Sequence, residues 1–180
     1  MVAEVIQRIT AYEKEIAEPK TATSLREILD EITTTNRHSR RETSSAGRET
    51  GSLMRNAFLD AGGAHGYKLI PRGKTVFETS KGHRVAILFS NEQRPDRWFL
   101  GMSDEKYDAV VLLCHAKDGT LFDLVLPGDF LEKFWKAFSR SGGQVKLNVS
   151  RKGKAWWLVI PGYEPQAIGS FLGNYGPLRS

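Results

Sequence analysis

The chain has 180 residues, of which 40% are hydrophobic and 26% are charged, and its formal net charge is +5 at pH 7. These proportions are typical of soluble globular proteins and argue against wholesale disorder, a fibrous repeat or a membrane protein. No stretch approaches the ~20 apolar residues that span a bilayer, and residues 1–20 predict no secretory signal. The single cysteine, Cys114, excludes an intramolecular disulfide, so we expect a cytoplasmic protein with no membrane partner.

Charge and aromatic residues are unevenly distributed along the chain. Residues 1–50 carry 8 basic and 9 acidic side chains, whereas residues 51–180 carry 18 basic and 12 acidic ones. Tyr12 is the only Phe, Trp or Tyr before residue 51. The hydrophobic core and the positive surplus are therefore both predicted in the second part of the chain, where a basic surplus is compatible with a polyanionic partner.

Two amphipathic helices are predicted at the N-terminus. In residues 2–18, Val and Ile recur at helical spacing between charges, and the helix ends near Pro19. A second helix begins at Ser24, where the sequence Ser24-Leu25-Arg26-Glu27 has the form of a capping box. Residues 1–35 are thus predicted to form a helical hairpin that docks on the domain or mediates a homodimer.

Residues 36–50 lack large apolar side chains and are rich in polar ones. Such a stretch buries too little surface to fold alone, so it is predicted to be a flexible basic linker. Arg37, Arg40 and Arg41 would contact phosphate if a nucleic acid lies nearby, and solvent otherwise.

From residue 51 onward, alternating apolar and aromatic residues predict several strands between short helices. Helices are expected over residues 52–61, 130–138 and 166–172, and two strands form a hairpin before the last of them. Six further strand patterns span residues 67–70, 75–79, 84–90, 98–102, 107–114 and 120–126. This order predicts an α+β domain over residues 51–180, with a central mixed or antiparallel sheet and flanking helices.

Catalytic signatures are scarce. The chain has no phosphate-binding glycine-rich loop and no nucleophile elbow, and its four histidines lack metal-ligand spacing. Most acidic residues fall at predicted turns, but Glu78 and Asp108 lie at strand edges beside aromatic residues. These two carboxylates would hold a divalent metal if they lay close together, and otherwise they are ordinary edge-strand charges.

The C-terminal hairpin combines basic and aromatic residues, and no acidic residue lies between Arg140 and Trp157. Because neighbouring side chains on a strand point to opposite faces, one of Trp156 and Trp157 is predicted in the core, and the other is available to stack on a base or sugar. The alternative is a lysine-rich hairpin that prevents edge-to-edge aggregation. The candidate nucleic-acid-binding residues here are Arg140, Lys146, Arg151, Lys152, Lys154 and Trp156.

Four segments carry a resemblance to a known family. They are His83-Arg84-Val85-Ala86-Ile87-Leu88-Phe89-Ser90, Arg97-Trp98-Phe99, Tyr107-Asp108-Ala109-Val110-Val111-Leu112-Leu113 and Leu124-Val125-Leu126-Pro127. Their order resembles the later half of the restriction-endonuclease-like (PD-(D/E)XK) nucleases, over roughly residues 52–140. The resemblance implies a fold of this kind and a role as a DNA recognition module or subunit in restriction, defence or mobile-element biology.

The same resemblance bears on catalysis. In that family, the strand that matches residues 84–90 carries Glu-x-Lys; the Glu and a preceding acid bind Mg²⁺, and the Lys orients the attacking water. Here the matching positions are Ala86 and Leu88, which can do neither. The resemblance therefore implies a protein that binds DNA without a cofactor and without cleaving it.

Three functions stay open at this point. The first, which we expect, is DNA binding without catalysis. The second is a Mg²⁺-dependent endonuclease, for which a shifted alignment would make Glu78, Lys81 and Asp108 the catalytic residues. The third is a protein-interaction domain with no nucleic-acid role, in which the N-terminal helices mediate self-association.

Overall fold

A computed structural model of the chain describes residues 43–179, with side chains from residue 49 onward. It begins with helix α1 (Thr43–Asp60) and the single turn α2 (Gly62–His65). The strands are β1 (Leu69–Pro71), β2 (Val76–Thr79), β3 (Arg84–Asn91), β4 (Arg97–Ser103), β5 (Ala109–His115), β6 (Leu121–Pro127), β7 (Arg140–Ser141), β8 (Gln144–Lys152), β9 (Ala155–Val159) and β10 (Gln166–Ala167). The short helix α3 (Gly128–Glu132) lies between β6 and β7, and 3-10 turns occupy Trp135–Ala137, Gly169–Phe171 and Gly176–Leu178.

Five strands form a mixed sheet in the order β1-β2-β3-β5-β6. Strands β3 and β5 are parallel, with Ala86 opposite Val110 and Leu88 opposite Leu112, and the other neighbours are antiparallel. Parallel neighbours need a crossover connection. Here the crossover from β3 to β5 runs through β4, which belongs to the other sheet.

The second sheet is antiparallel, in the order β10-β9-β8-β4, with β7 also paired to β8. The β8–β9 hairpin turns at Gly153, whose φ of 61° suits a glycine because a Cβ is disfavoured in that region. The hairpin register places Trp156 opposite Arg151 and Trp157 opposite Ser150. This register decides which indole faces the core.

The hydrophobic core lies between the two sheets. Trp98 of β4 and Trp156 of β9 share one buried cluster with Leu112 and Leu124 of the mixed sheet. Packing of two sheets face to face requires apolar side chains at alternate positions of each strand, and these residues follow that alternation. Cys114 belongs to the same cluster, and burial raises the pKa of its thiol.

Helix α1 covers the outer face of the mixed sheet. Gly51 lies so near β3 that a Cβ there would be 3.1 Å from the ring of Phe89. At the other end of the helix, the carbonyl of the buried Phe58 accepts a hydrogen bond from the Tyr67 hydroxyl over 2.7 Å. The layers of the described residues are therefore helix, mixed sheet and antiparallel sheet. No described element covers the outer face of the antiparallel sheet, where Phe99 is 46% exposed.

The predicted α+β class is confirmed, with the strands divided between a mixed and an antiparallel sheet. The first helix of the predicted core begins at Thr43, so residues 43–50 of the predicted linker 36–50 are helical. Extending an established helix costs less than nucleating one, which lets polar residues continue a helix whose later part is packed. The predicted hairpin over residues 1–35, the dimer contact assigned to it, and Arg37, Arg40 and Arg41 lie outside the described residues.

Two other predicted helices differ from the structure. Residues 130–138 do not form one helix, because α3 ends at Glu132 and a separate 3-10 turn follows. Residues 166–172 form β10 and a 3-10 turn, since Gln166 and Ala167 complete the sheet beside β9.

Among the described residues, none of the helices has the length and apolar character that a membrane crossing requires.

Candidate functional site

The solvent-facing side of the antiparallel sheet, here called the open face, consists of alternate residues of β4, β8 and β9. Successive side chains on a strand point to opposite faces, and the intervening residues are buried in the core. The residues of the open face are Arg97, Phe99, Gly101, Ser103, Gln144, Lys146, Asn148, Ser150, Lys152, Trp157 and Val159. Two aromatic side chains, the exposed Phe99 and the partly exposed Trp157, stand on this surface.

Each of these rings has a small polar neighbour on the central strand. Phe99 lies opposite Asn148, and Trp157 lies opposite Ser150. Strand spacing and rise place the two aromatic positions about 12 Å apart, on either side of β8. Because an amide and a hydroxyl can each donate and accept hydrogen bonds, the strip between the rings offers polar contacts beside both aromatic surfaces.

The antiparallel sheet is free of acidic residues. None of its five strands, as the structure defines them, contains Asp or Glu, although the mixed sheet contains Glu78 and Asp123. Basic residues occur on β4, β7 and β8, and Lys154 lies in the β8–β9 turn. A sheet with this charge pattern produces a positive potential over its surface.

Four cations of this region are available to a ligand. Arg97, Lys152 and Lys154 are exposed and form no ion pair with a described residue. Lys146 donates from Nζ to the neutral Gln144 Oε1 over 2.7 Å, so its charge is not neutralised. Three of these four were predicted from the sequence, and Arg97 was not.

Arg140, which was also predicted to bind nucleic acid, has its donors engaged within the protein. Its Nε donates to Asp104 Oδ2 over 2.8 Å, and its other nitrogens donate to the carbonyls of Trp135 and Phe138. The same guanidinium holds the pKa of the Asp104 carboxyl below its usual value. Arg140 therefore joins the loop after β4 to the segment before β7 and is not part of the open face.

Arg151 is similarly engaged, and its side chain points toward the core. Its Nε donates to Asp96 Oδ1 over 2.6 Å. Its guanidinium carbon lies 4.8 Å from the ring centre of Phe122 and 5.6 Å from that of Trp156. Cation–π contacts of this kind favour a fixed position, so Arg151 has a structural role here.

Of the two adjacent tryptophans, Trp156 is the buried one. It is 3% exposed, and its ring centre lies 5.2 Å from that of Trp98 and 4.9 Å from that of Phe122. A base cannot reach this ring, so the assignment of Trp156 as a stacking residue is corrected to Trp157. The reason is the hairpin register, which points Trp156 inward together with Arg151.

Phe99 and Asn148 were not recognised as candidate residues from the sequence. The signal was present in β4, where the apolar Trp98, Leu100 and Met102 alternate and leave Phe99 on the other face. Recognising that this outer face is open, however, requires the layer order of the whole domain.

The three residues predicted for a nuclease do not form a cluster. Glu78 is in register with Arg84, and Asp108 Oδ2 accepts a hydrogen bond from the Arg84 amide over 2.7 Å, so Arg84 separates the two carboxylates. Glu78 forms its own ion pair with Arg72, and Lys81 lies in the exposed turn after β2. Within the described part of the chain, no group of three or more His, Cys, Asp or Glu side chains is placed to hold a metal.

The positions that the resemblance aligns with Glu-x-Lys are in the core. Ala86 is 1% exposed and Leu88 is 3% exposed, and both belong to the cluster between the sheets. An acid or an ammonium group at these positions would be desolvated at high cost. The alignment as stated therefore provides no catalytic pair.

A cleft of about 1090 Å³ lies beside Asp108 and α3. Two of its basic residues are paired, Arg84 with Glu105 and Lys106 with Glu132, while Lys133 and Lys136 also line it, together with the acidic Asp108 and Asp129. Aromatic residues in its walls are Tyr107, Phe134, Trp135 and Tyr163. Because charges of both signs line the cleft, it indicates no particular class of ligand.

Comparison with known proteins assigns no family to the chain, since no protein-family model matches it and no curated protein gives a significant match. The charge and geometry of the open face are thus the features that indicate a ligand.

Proposed function

We propose that the protein binds DNA through the open face and the adjoining β8–β9 turn. The observation that carries this proposal is the combination of two solvent-facing aromatic rings with four cations, three on a sheet that has no acidic residue and one in its β8–β9 turn. Contacts to phosphate supply most of the affinity of DNA-binding proteins, and cations without an acidic partner are the groups that make such contacts.

The spacing of the cations along β8 supports this proposal. Lys146 and Lys152 lie on the same side of β8, with Asn148 and Ser150 between them. From the rise per residue, the row from Lys146 to Lys152 spans roughly 20 Å. A DNA backbone lying along β8 would meet a cation near each end and polar side chains in the middle.

The role we propose is recognition of DNA without cleavage, as a module or subunit in restriction, defence or mobile-element biology. Two features support recognition over catalysis: the apolar, buried Ala86 and Leu88, and the separation of Glu78 from Asp108 by Arg84. The biological setting follows from the resemblance to restriction-endonuclease-like proteins and stays a prediction.

The test is a binding titration by fluorescence anisotropy, with labelled DNA, between about 50 and 200 mM salt. We expect the wild type to bind DNA with an affinity that falls steeply with salt. The double variant Lys152→Glu/Lys154→Glu should bind at least roughly tenfold more weakly, and the slope of log affinity against log salt should decrease by about 1 for each lost phosphate contact.

A matched control is the double variant Lys68→Glu/Lys74→Glu. Both lysines are exposed and lie near β1 and β2 of the mixed sheet, and the change in net charge is the same. This control should bind DNA nearly as well as the wild type. An equal loss in both double variants would show that net charge alone drives binding, and a wild type that does not bind DNA at low salt would overturn the proposal.

A further inference from the structure

We infer that the open face binds a single-stranded nucleic acid, with one base stacked on Phe99 and another on Trp157. This inference rests on the proposed DNA-binding function and specifies the form of the ligand. It draws on the position of the two rings, on their polar neighbours and on the distance between them.

Phe99 presents an apolar ring to water. It is 46% exposed, and its cross-strand neighbour on β8 is the polar Asn148. Beyond Asn148, in the same row, lies Val159 of β9. An aromatic ring in this setting gains from a flat apolar partner that removes it from water, and every nucleobase has such a face.

Trp157 offers a second stacking surface on the opposite side of β8. It is partly exposed, with Ser150 on one side and Ala167 of β10 on the other. Both of these neighbours are small, so neither covers the indole as a large side chain would. Arg97 lies across Ser150 in the same row and brings a cation near this ring.

The separation of the rings favours a strand whose bases are unstacked. The two aromatic positions are about 12 Å apart, whereas successive bases of B-form DNA are about 3.4 Å apart along one strand. In a duplex, the base faces are also covered by their neighbours. In a duplex that keeps its stacking, a base therefore has no free face for Phe99 or Trp157, and such a duplex would meet the open face mainly through its phosphates.

The polar side chains beside the rings suit the edges of stacked bases. Asn148 lies next to Phe99, and Ser150 lies next to Trp157. Both groups donate and accept hydrogen bonds, so they can pair with the edges of different bases. The open face is therefore expected to tolerate many sequences.

The test compares oligothymidine with the same strand annealed to oligodeoxyadenosine, for the wild type, Phe99→Ala and Trp157→Ala. The wild type should prefer the single strand. Each alanine variant should weaken single-strand binding roughly 5- to 150-fold, which corresponds to loss of stacking by one base. The slope of log affinity against log salt should not change, because no phosphate contact is lost.

Two further variants separate stacking from a structural effect. In the wild type, a base stacked on Trp157 should quench the intrinsic tryptophan fluorescence. Trp157→Phe keeps an aromatic face, so this variant should retain most of the affinity but lose that quenching. Tyr163→Ala removes an aromatic residue that is 53% exposed but lies outside the open face, and it should bind like the wild type. Circular dichroism of each variant checks that the fold is retained.

The outcomes distinguish this inference from the proposed function. Equal affinity for single strand and duplex, with both alanine variants unaffected, would overturn the inference and leave DNA binding in place. An oligouridine bound as tightly as oligothymidine, with the same losses in the variants, would support stacking and extend the ligand to RNA. A wild type that binds neither form of DNA nor RNA at low salt would overturn the proposed function itself.

Discussion

Arg151 and Asp96 form a paired contact through both backbone and side chain. Arg151 Nε donates to Asp96 Oδ1 over 2.6 Å, and the Arg151 amide donates to the Asp96 carbonyl over 2.9 Å. Asp96 has a φ of 56°, which is uncommon for a residue other than glycine. The pair therefore fixes the loop between β3 and β4 against β8, beside the aromatic residues at the end of the core.

We expect Arg151→Ala to lower the free energy of unfolding by about 1–3 kcal/mol, since it removes a charged hydrogen bond and the contacts of the guanidinium with Phe122 and Trp156. Urea denaturation measures this change. The neighbouring exposed Lys152 serves as the control, and Lys152→Ala should change stability by less than about 0.5 kcal/mol. A stable Arg151→Ala variant with impaired DNA binding would instead place Arg151 in the interface.

Gly128 is expected to tolerate no side chain. A Cβ there would lie 2.0 Å from the carbonyl oxygen of Tyr107, and the Gly128 amide donates to the Asp108 carbonyl over 2.8 Å. Gly128→Ala must displace backbone, so we expect a loss of more than about 3 kcal/mol in the free energy of unfolding. Gly63→Ala is the control, because nothing lies within 4 Å of its added Cβ and an alanine favours the helical turn α2. Similar stabilities of the two variants would contradict this close approach.

His115 should make stability depend on pH. Its Nδ1 lies 2.9 Å from Asn91 Oδ1, and its Nε2 is buried with no hydrogen-bond partner among the described residues. Burial lowers the pKa of His115, although the charge of Asp118 opposes this shift. The unfolded imidazole titrates near about 6.5, so on acidification the unfolded state takes up a proton before the folded state does.

The contribution of neutral His115 to stability is therefore complete above about pH 6.5 and is lost as pH falls toward the lowered folded pKa. Urea midpoints measured from about pH 8 to 5 test this expectation, with His115→Gln as the comparison. The variant should lack the part of the decline that begins near about pH 6.5. An unchanged pH profile in His115→Gln would assign the proton uptake to other groups.

With Mg²⁺ present, we expect bound DNA to stay intact, because Arg84 lies between the carboxylates of Glu78 and Asp108 and each already has a partner. Asp108→Ala should cost about 1 kcal/mol of stability through the lost bond to the Arg84 amide. Glu78→Ala, which removes an ion pair at the surface, should cost less than about 1 kcal/mol.

Denaturing gels of labelled DNA show whether the bound DNA is cleaved. Mg²⁺-dependent fragments that disappear with Glu78→Ala would restore the endonuclease.

The strands of the mixed sheet are the part of the fold that could be predicted from the sequence. Strands β3 and β5 are nearly continuous apolar runs, a pattern that buried central strands require. The division into two sheets could not be predicted in the same way. It depends on the pairing of Arg97 with Ser150, which are far apart in the chain, and local alternation carries no information about distant partners.

The positive charge of the candidate site could be predicted from the sequence, but which basic and aromatic residues form the site could not. Lys152 and Lys154 are at a turn, where exposure follows from local sequence. Arg140 and Arg151 are equally basic, but their acidic partners Asp104 and Asp96 are brought to them only by the tertiary fold. The same holds for the two tryptophans, whose roles depend on the direction of the hairpin relative to the core.

The crossover through β4 has a consequence for synthesis on the ribosome. All five strands of the mixed sheet precede α3, whereas β8, with which β4 pairs, is made later. While β8 is still in the exit tunnel, the backbone of β4 lacks the strand with which it pairs in the finished domain. Its apolar side chains Trp98, Leu100 and Met102 then also lack the neighbours that β8 contributes to the core. A nascent chain in this state presents an unpaired aromatic strand to other chains and to chaperones. A protein cut after Pro127 should accordingly aggregate instead of forming half of the fold.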